Sequence, residues 1–491
     1  MDRQGVVVVR TSPEAIAPRS RTEHIARLMT EPFVVLALVH LTVLAWRLPL
    51  FDRLPGWVFA THAKPLHAAA LMLLIAIPLL CLSAARLARR RAVAIALLVI
   101  GGYAFQHALA WSEGRGLDGM RERIVRSGHA EFADVAVAQP SLWSVVTHYE
   151  RKVQGGELGR YAHSKPPGTL LAYMATERLA RRFAEDGSPA ARRAALNTTA
   201  AVLWPFICYL ALIPLYAVVR TITTDATALL ACASYGMVPS VSLITLHTDQ
   251  FLFPLLGAIS VWIAVVAGRR RSVVTAGAAG LWLWMAAFFT LPMLLLAPVM
   301  VAAMWAVTYE RGAQRMGVAA TETARLTAAM AAGLVIGLVG FRIGIGYDLF
   351  ARYADARQFN AVWKGWDGGA FQTLYFGWMN LLEFLLWVGL PVGVLALARI
   401  RRAVVATAGV RLERLTIPAL AIAAVLAYVA FRGESKGETA RLWLFIVPWL
   451  CALAADELRQ RWPEGRPMAA GALLVLQWAT VVLTKTGQDF F

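Results

Sequence analysis

Apolar runs near 20 residues recur about thirteen times along this chain, and each has the length needed to cross roughly 30 Å of hydrocarbon. They lie near residues 32–50, 66–83, 92–111, 196–218, 226–245, 251–267, 272–289, 291–307, 325–344, 377–398, 415–431, 440–455 and 467–484. In lipid every backbone N–H and C=O must be satisfied inside the protein, so runs of this length fold as helices. The expected fold is therefore all-α, a polytopic transmembrane helix bundle. Composition agrees, since 58% of the 491 residues are hydrophobic and only 16% are charged, which excludes an ordinary soluble globule.

The net charge of +18 does not point to nucleic acid, because the basic residues fall in short clusters between apolar runs instead of forming one stripe. Clusters at 86–91, 220, 269–271, 310–315, 399–402 with Arg411 and Arg414, and 459–466 follow every second span. This alternation predicts a cytoplasmic tail over 1–31 and places those loops in the cytoplasm. Residues 112–195 then form a long outer segment, 344–376 a second, and 247–250 and 432–441 shorter outer turns. The expected divisions are the tail, N-terminal spans 32–111, the outer loop 112–195, a core 196–310, and C-terminal spans 311–491. Cys81, Cys208, Cys232 and Cys451 lie inside apolar runs without paired spacing, so neither a disulfide framework nor a zinc site is expected.

A structureless loop as long as 112–195 is improbable in a compact protein, so several interfacial helices are expected within it. Gly128, Pro140 and Gly155-Gly156 punctuate it, and Ser188-Pro189 has the residue types of a helix N-cap and first turn. Its most constrained stretch is His163-Ser164-Lys165-Pro166-Pro167-Gly168, where two prolines force an extended arrival and permit a helix immediately afterwards. Residues from Thr169 to Arg182 read as an amphipathic helix on the membrane surface, with His163 and Lys165 at its mouth, where free N–H groups favour an anion.

Ionisable residues within the spans are few and sit near ends, as Glu383 and Arg342 do, which weighs against an ion-coupled carrier. The outer segments carry Glu113, Asp118, His129, Glu131, Asp134, His163, Lys165, Asp249, Glu434, Glu438 and Arg441. A carboxylate at the interface can deprotonate an acceptor hydroxyl while Lys, Arg and His hold a phosphate leaving group, a pattern suited to group transfer from a lipid phosphate.

A long outer loop ending in His-x-Lys-Pro-Pro, then a helix and an Arg at the head of the next span, resembles the GT-C superfamily of membrane glycosyltransferases, which includes protein O-mannosyltransferases and aminoarabinose transferases. The element is His163, Lys165, Pro166 and Pro167, the following Arg is Arg192 or Arg193, and Asp249 in a Leu246-x-x-Asp249 context resembles an acidic residue opening a later span. The resemblance covers about residues 92–310. It implies an enzyme of the inner (plasma) membrane that moves a sugar from a polyprenyl-phosphate donor to an extracytoplasmic acceptor, with a first-loop carboxylate as base.

Two features depart from that pattern: two extra spans precede the long loop, and the Asp-Glu pair expected directly after the first span is missing. The base therefore has two candidates. Asp118 has the more family-like distance from the preceding span, and Glu131 lies beside a Gly-His turn that aims it inward. His163, Lys165, Arg193, Asp249, Glu438 and Arg441 are the expected donor-phosphate contacts. No His/Asp cluster has metal-ligand spacing, so no cofactor is expected from the residues, while the resemblance leaves a divalent metal open because the superfamily includes metal-dependent members. The alternative reading is a lipid or polysaccharide transporter with the outer loop as a lid.

Overall fold

The computed structural model describes residues 21–127, 130–244, 249–311, 316–366, 368–408, 413–432 and 435–488. Gly128 and His129, Leu246 and Glu434, and the side chain of Asp249, lie outside the described residues. Among those described, the secondary structure is helical, with one isolated antiparallel bridge between Thr61 and Gln488.

The N-terminal part comprises α1 (Arg21–Met29), α2 (Pro32–Ala45), α3 (Ala68–Leu87) and α4 (Arg91–Trp111). The long loop then folds as α5 (Gly116–Arg126), α6 (Glu131–Ala138), α7 (Leu142–Thr147), α8 (Tyr149–Gln154), a 3-10 turn over Arg160–Ser164, and α9 (Pro167–Ala180). The core continues with α10 (Pro189–Tyr209), α11 (Leu212–Ile222), α12 (Asp225–Tyr235), α13 (Phe253–Arg270), α14 (Val273–Phe289), α15 (Ala297–Arg311) and α16 (Met316–Ile345). After α17 (Leu349–Trp363) come α18 (Ala370–Val388), α19 (Leu390–Ala408), α20 (Thr416–Phe431), α21 (Thr439–Leu442), α22 (Val447–Arg461) and α23 (Arg466–Gly487).

Helix falls on every expected apolar run, but not as thirteen straight rods. Among the described residues, seven helices are long and apolar enough to cross a bilayer, and nine if two bent pairs each count as one. One of those pairs, α18 with α19, turns by 119° at Gly389. There φ is +91°, and a Cβ would sit 2.2 Å from the Gln477 Nε2 of α23. The same Nε2 donates to the Val388 carbonyl at 2.6 Å, so the corner is closed by the last helix. A straight apolar run and a sharply bent one have the same hydropathy, which is why sequence reads 377–398 as one span.

The two ends of the bundle differ in chemistry. At one end the expected cytoplasmic clusters meet in ion pairs: Arg91 with Asp225 at 2.7 Å, fully buried Arg399 with Asp456 and Glu413 at 2.9 Å each, Arg402 with Glu457 at 2.9 Å, and Arg461 with Glu31 at 2.9 Å. At the other end the long loop packs on the close of α23. Glu113 accepts from Lys485 at 2.6 Å and from Arg123, and stands 3.7 Å from Lys64.

Burial would raise the Glu113 carboxyl, but Lys485 and Arg123 overcome it and hold it at about 2, against an ordinary 4.5. A depressed carboxyl stabilises the fold above its unfolded value, and that contribution is lost as pH falls through the folded one. Wild type should therefore exceed Glu113→Gln in thermal stability at neutral pH, and the gap should close between pH 4.5 and about 2. An undiminished gap at the acid end would show that the ion cluster is not its source.

Within the loop, Ser188 caps α10 as its residue type predicts, its hydroxyl accepting from the Ala191 amide at 3.2 Å, and Pro189 opens the helix. The helix after the proline pair also begins where expected, with one exposed face that carries Arg178 and a broader face turned into the protein. Most of α9 is buried against α6, α10 and α14, including Leu170, Tyr173, Met174 and Glu177. Gly168 makes the packing possible, since a Cβ there would lie 2.6 Å from the Phe288 carbonyl. Arg178, Arg181 and Arg182 stay exposed, whereas Glu177 is buried. Glu177 binds Arg181 at 3.0 Å and Arg192 at 2.6 Å, and although burial alone would raise its carboxyl, these partners hold it below the usual range.

Candidate functional site

Four expected outer segments converge on one cavity of about 400 Å³. The long loop contributes Ser164, Lys165 and Pro166, and the 247–250 turn contributes Gln250. α17 contributes Leu349, Phe350, Tyr353, Ala356, Arg357 and Asn360, and the segment after α20 adds Arg432, Ser435, Leu442 and Trp443. Phe289 to Pro292, Leu294 and Leu295, between α14 and α15, complete an apolar wall.

The Lys165 element is fixed by a buried polar post. Arg352 of α17 is fully buried and donates through Nη1 to the carbonyls of Ala162 at 2.9 Å and His163 at 3.2 Å. Its other nitrogens hold Glu150 of α8, with Nη2 to Oε2 at 2.5 Å and Nε to Oε1 at 3.2 Å, and Asp355 at 2.8 Å. Burial raises the Glu150 carboxyl, and Arg352 opposes that shift. The Tyr149 hydroxyl donates to the Lys165 carbonyl at 2.9 Å. The backbone of the element is thus clamped from α8 and α17, leaving the Lys165 side chain at the cavity.

A second polar knot fixes the segment after α20. Asn380 of α18 donates to the Ser435 carbonyl at 2.7 Å and accepts from the Gly437 amide at 3.1 Å. Glu383, fully buried, accepts from the Thr439 hydroxyl at 2.9 Å and the Ala440 amide at 3.1 Å. Sequence marks Glu383 only as a charge near a span end, whereas here it anchors a cavity wall.

The expected site residues are only partly brought together. Lys165 lines the cavity. His163 stacks flat on Phe359, at 5.7 Å and 12°, and offers its carbonyl to Arg352. Arg441 binds Glu438 at 2.9 Å, with Lys364 3.6 Å from the same carboxylate, and neither Glu438 nor Arg441 is among the cavity-lining residues. Burial lowers the Lys364 ammonium, and the neighbouring Arg441 pushes the same way. Arg193 pairs with Asp134 at 2.7 Å in a separate cavity beside α5, α6 and α10. Asp249 immediately precedes the lining residue Gln250.

Neither candidate base lines the cavity. Asp118 is 83% exposed and pairs with Arg121 one turn along α5 at 3.2 Å. Glu131 accepts from the amides of Arg160 at 3.1 Å and Tyr161 at 3.4 Å, so its carboxylate caps the turn that leads to His163 and Lys165.

Two cations that sequence reasoning missed, Arg357 and Arg432, do line the cavity. Arg432 lies over the rings of Tyr353 at 5.3 Å and Tyr428 at 5.1 Å, which holds its guanidinium against the wall. A signal for Arg357 existed, because Phe350, Tyr353, Arg357 and Asn360 recur at the three- and four-residue spacing of one helical face. No sequence pattern joins that face to Arg432 or Lys165.

No family model matches the chain, and no curated protein matches it. Among solved structures, the Archaeoglobus fulgidus oligosaccharyltransferase in complex with zinc and sulfate is similar at 14% identity and a TM-score of 0.44, over 79% of this chain and 52% of that one. The archaeal oligosaccharyltransferase AglB from the same organism, in complex with an inhibitory peptide and a dolichol-phosphate, is similar at 13% identity and a TM-score of 0.45, over 81% and 56%. The chain spans about half the length of these structures.

Proposed function

We propose that the protein is a membrane glycosyltransferase that moves a sugar from a polyprenyl-phosphate donor to an extracytoplasmic glycolipid, glycan or protein acceptor. The supporting observation is the cavity that joins Lys165, Arg357 and Arg432 to a wall of Leu291, Leu294, Leu295 and Leu442. A ligand with one phosphate and a long apolar tail satisfies both parts. In transfer, the bond from the anomeric carbon to the phosphate oxygen breaks and its electron pair leaves on the polyprenyl phosphate. A bond forms to the acceptor oxygen, whose proton passes to a carboxylate. The three cations act on the first half of that exchange, where negative charge grows on the phosphate.

The decisive experiment is photolabelling of the full chain in nanodiscs with a diazirine-bearing polyprenyl-phosphate sugar, followed by peptide mapping. Label in the 289–295, 349–360 or 432–443 segments, competed by unmodified donor and accompanied by sugar transfer, is the expected result. Label without turnover on any supplied acceptor, together with donor movement between leaflets, would favour the transporter instead.

For the base, the matching amides of three outer carboxylates form a series. Asp118→Asn should retain near-normal transfer, because that side chain faces solvent. Glu131→Gln should chiefly raise the KM for donor, because it weakens the cap on the turn before Lys165. Asp249→Asn should lose about 10²–10⁴ of kcat if that residue takes the proton. A pure kcat loss in Glu131→Gln would instead make Glu131 the base and end its reading as a cap.

A further inference from the structure

We propose that the far ends of α11 and α13 form a second site, which binds the phosphate-bearing headgroup of an anionic phospholipid. The cavity there measures about 490 Å³ and is lined by Tyr216, Arg220 and Thr221 from α11 and Trp262, Val266 and Arg269 from α13, with α15 behind. It is remote from the donor cavity. Phe253, at the start of α13, lines that cavity, and Arg269 lies 16 residues further on, roughly 24 Å along the helix axis.

The lining combines two guanidinium groups and two hydroxyl-bearing side chains with no carboxylate. Beside it, Asp225 accepts from the Tyr216 hydroxyl and pairs with Arg91 at 2.7 Å. That bond fixes the Tyr216 ring, and Arg220 lies against the ring with its guanidinium 5.9 Å from the centroid. Two exposed arginines on adjacent helices, facing one cleft, supply charge-assisted donors for one phosphodiester.

The lower wall argues for a lipid and against a free anion. Trp262 is 42% exposed on the flank of the bundle and lies two turns back from Arg269, about 10 Å along the helix. Val266 lies between them. This descent, from cations through an aliphatic step to an exposed indole, matches a phospholipid running from headgroup to acyl chain, and a tryptophan at such depth suits the interface. Small soluble anions would leave the apolar half unused.

The test is native mass spectrometry of the purified full chain, exchanged into phosphatidylglycerol or into phosphatidylcholine with identical acyl chains. Wild type should retain phosphatidylglycerol preferentially. Arg220→Ala with Arg269→Ala should reduce that retention by roughly tenfold or more, since each basic residue near a membrane contributes about 1 kcal/mol toward an anionic lipid. Trp262→Ala, with both arginines intact, should weaken retention of long-chain but not short-chain phosphatidylglycerol. Each variant is compared at matched helical content and elution volume, and Arg220→Lys with Arg269→Lys should recover part of the retention if the double alanine variant folds poorly. Equal retention of both lipids by wild type would overturn the proposal. So would displacement of bound phosphatidylglycerol by inorganic phosphate at equal concentration, which would assign the cavity to a free anion.

Discussion

Arg352→Ala should lower the stability of the purified protein by about 2–3 kcal/mol, because it leaves the partly buried Glu150 carboxylate and two carbonyls without their partner. Arg352 is fully buried and binds Glu150, Asp355 and the carbonyls of Ala162 and His163. It joins elements about two hundred residues apart, as the separation of 202 between Arg352 and Glu150 shows. Transfer should fall with stability, because the same atoms hold the backbone just before Lys165. Adding Glu150→Gln to Arg352→Ala should recover part of the lost stability, since a neutral amide is cheaper to leave buried than a carboxylate. Denaturant unfolding in detergent reads both effects. A loss below about 1 kcal/mol, the scale of an exposed ion pair, would show that Arg352 is not the post described here.

Lys165→Ala should leave the fold intact and remove about 10²–10³ of kcat in sugar transfer. The backbone there is held by the Tyr149 hydroxyl and the Arg352 clamp, neither of which uses the lysine side chain, so the substitution leaves that clamp in place. Lys165→Arg should keep more activity than Lys165→Ala, and Arg357→Ala should act in the same direction. Steady-state kinetics with a polyprenyl-phosphate sugar separates the two steps. A rise in donor KM at unchanged kcat would mean that Lys165 binds ground state and transition state alike.

The parts of this fold legible in sequence were those set by a single length or a single turn. Span positions follow from the thickness of hydrocarbon, and the Ser188 cap follows from residue type alone. The convergence of four outer segments was also within reach, because alternating basic loops sort the segments by side before any contact is known. Other features depend on what a side chain meets across the chain. Glu177 reads with Arg178, Arg181 and Arg182 as part of a wet face, yet it is buried and pairs with Arg192 of the next helix. Arg441 reads as a phosphate contact, and only the structure shows it sharing the Glu438 carboxylate with Lys364. Glu131 reads as an inward-aimed base, and only the structure shows that it also accepts from two amides twenty-nine and thirty residues downstream. Arg357 and Arg432 become one site only because α17 lies against the close of α20.

The corner at Gly389 also imposes an order on biosynthesis. Its carbonyl neighbour Val388 is satisfied by Gln477, 89 residues later in the chain. At about 5–20 residues per second, the ribosome delivers that partner roughly 4–18 s after the corner itself is made. Through that interval α18 and α19 are present without the amide that closes their turn, and α18 is the helix whose Asn380 and Glu383 hold one wall of the cavity. The corner beside that helix therefore closes only once α23 has arrived.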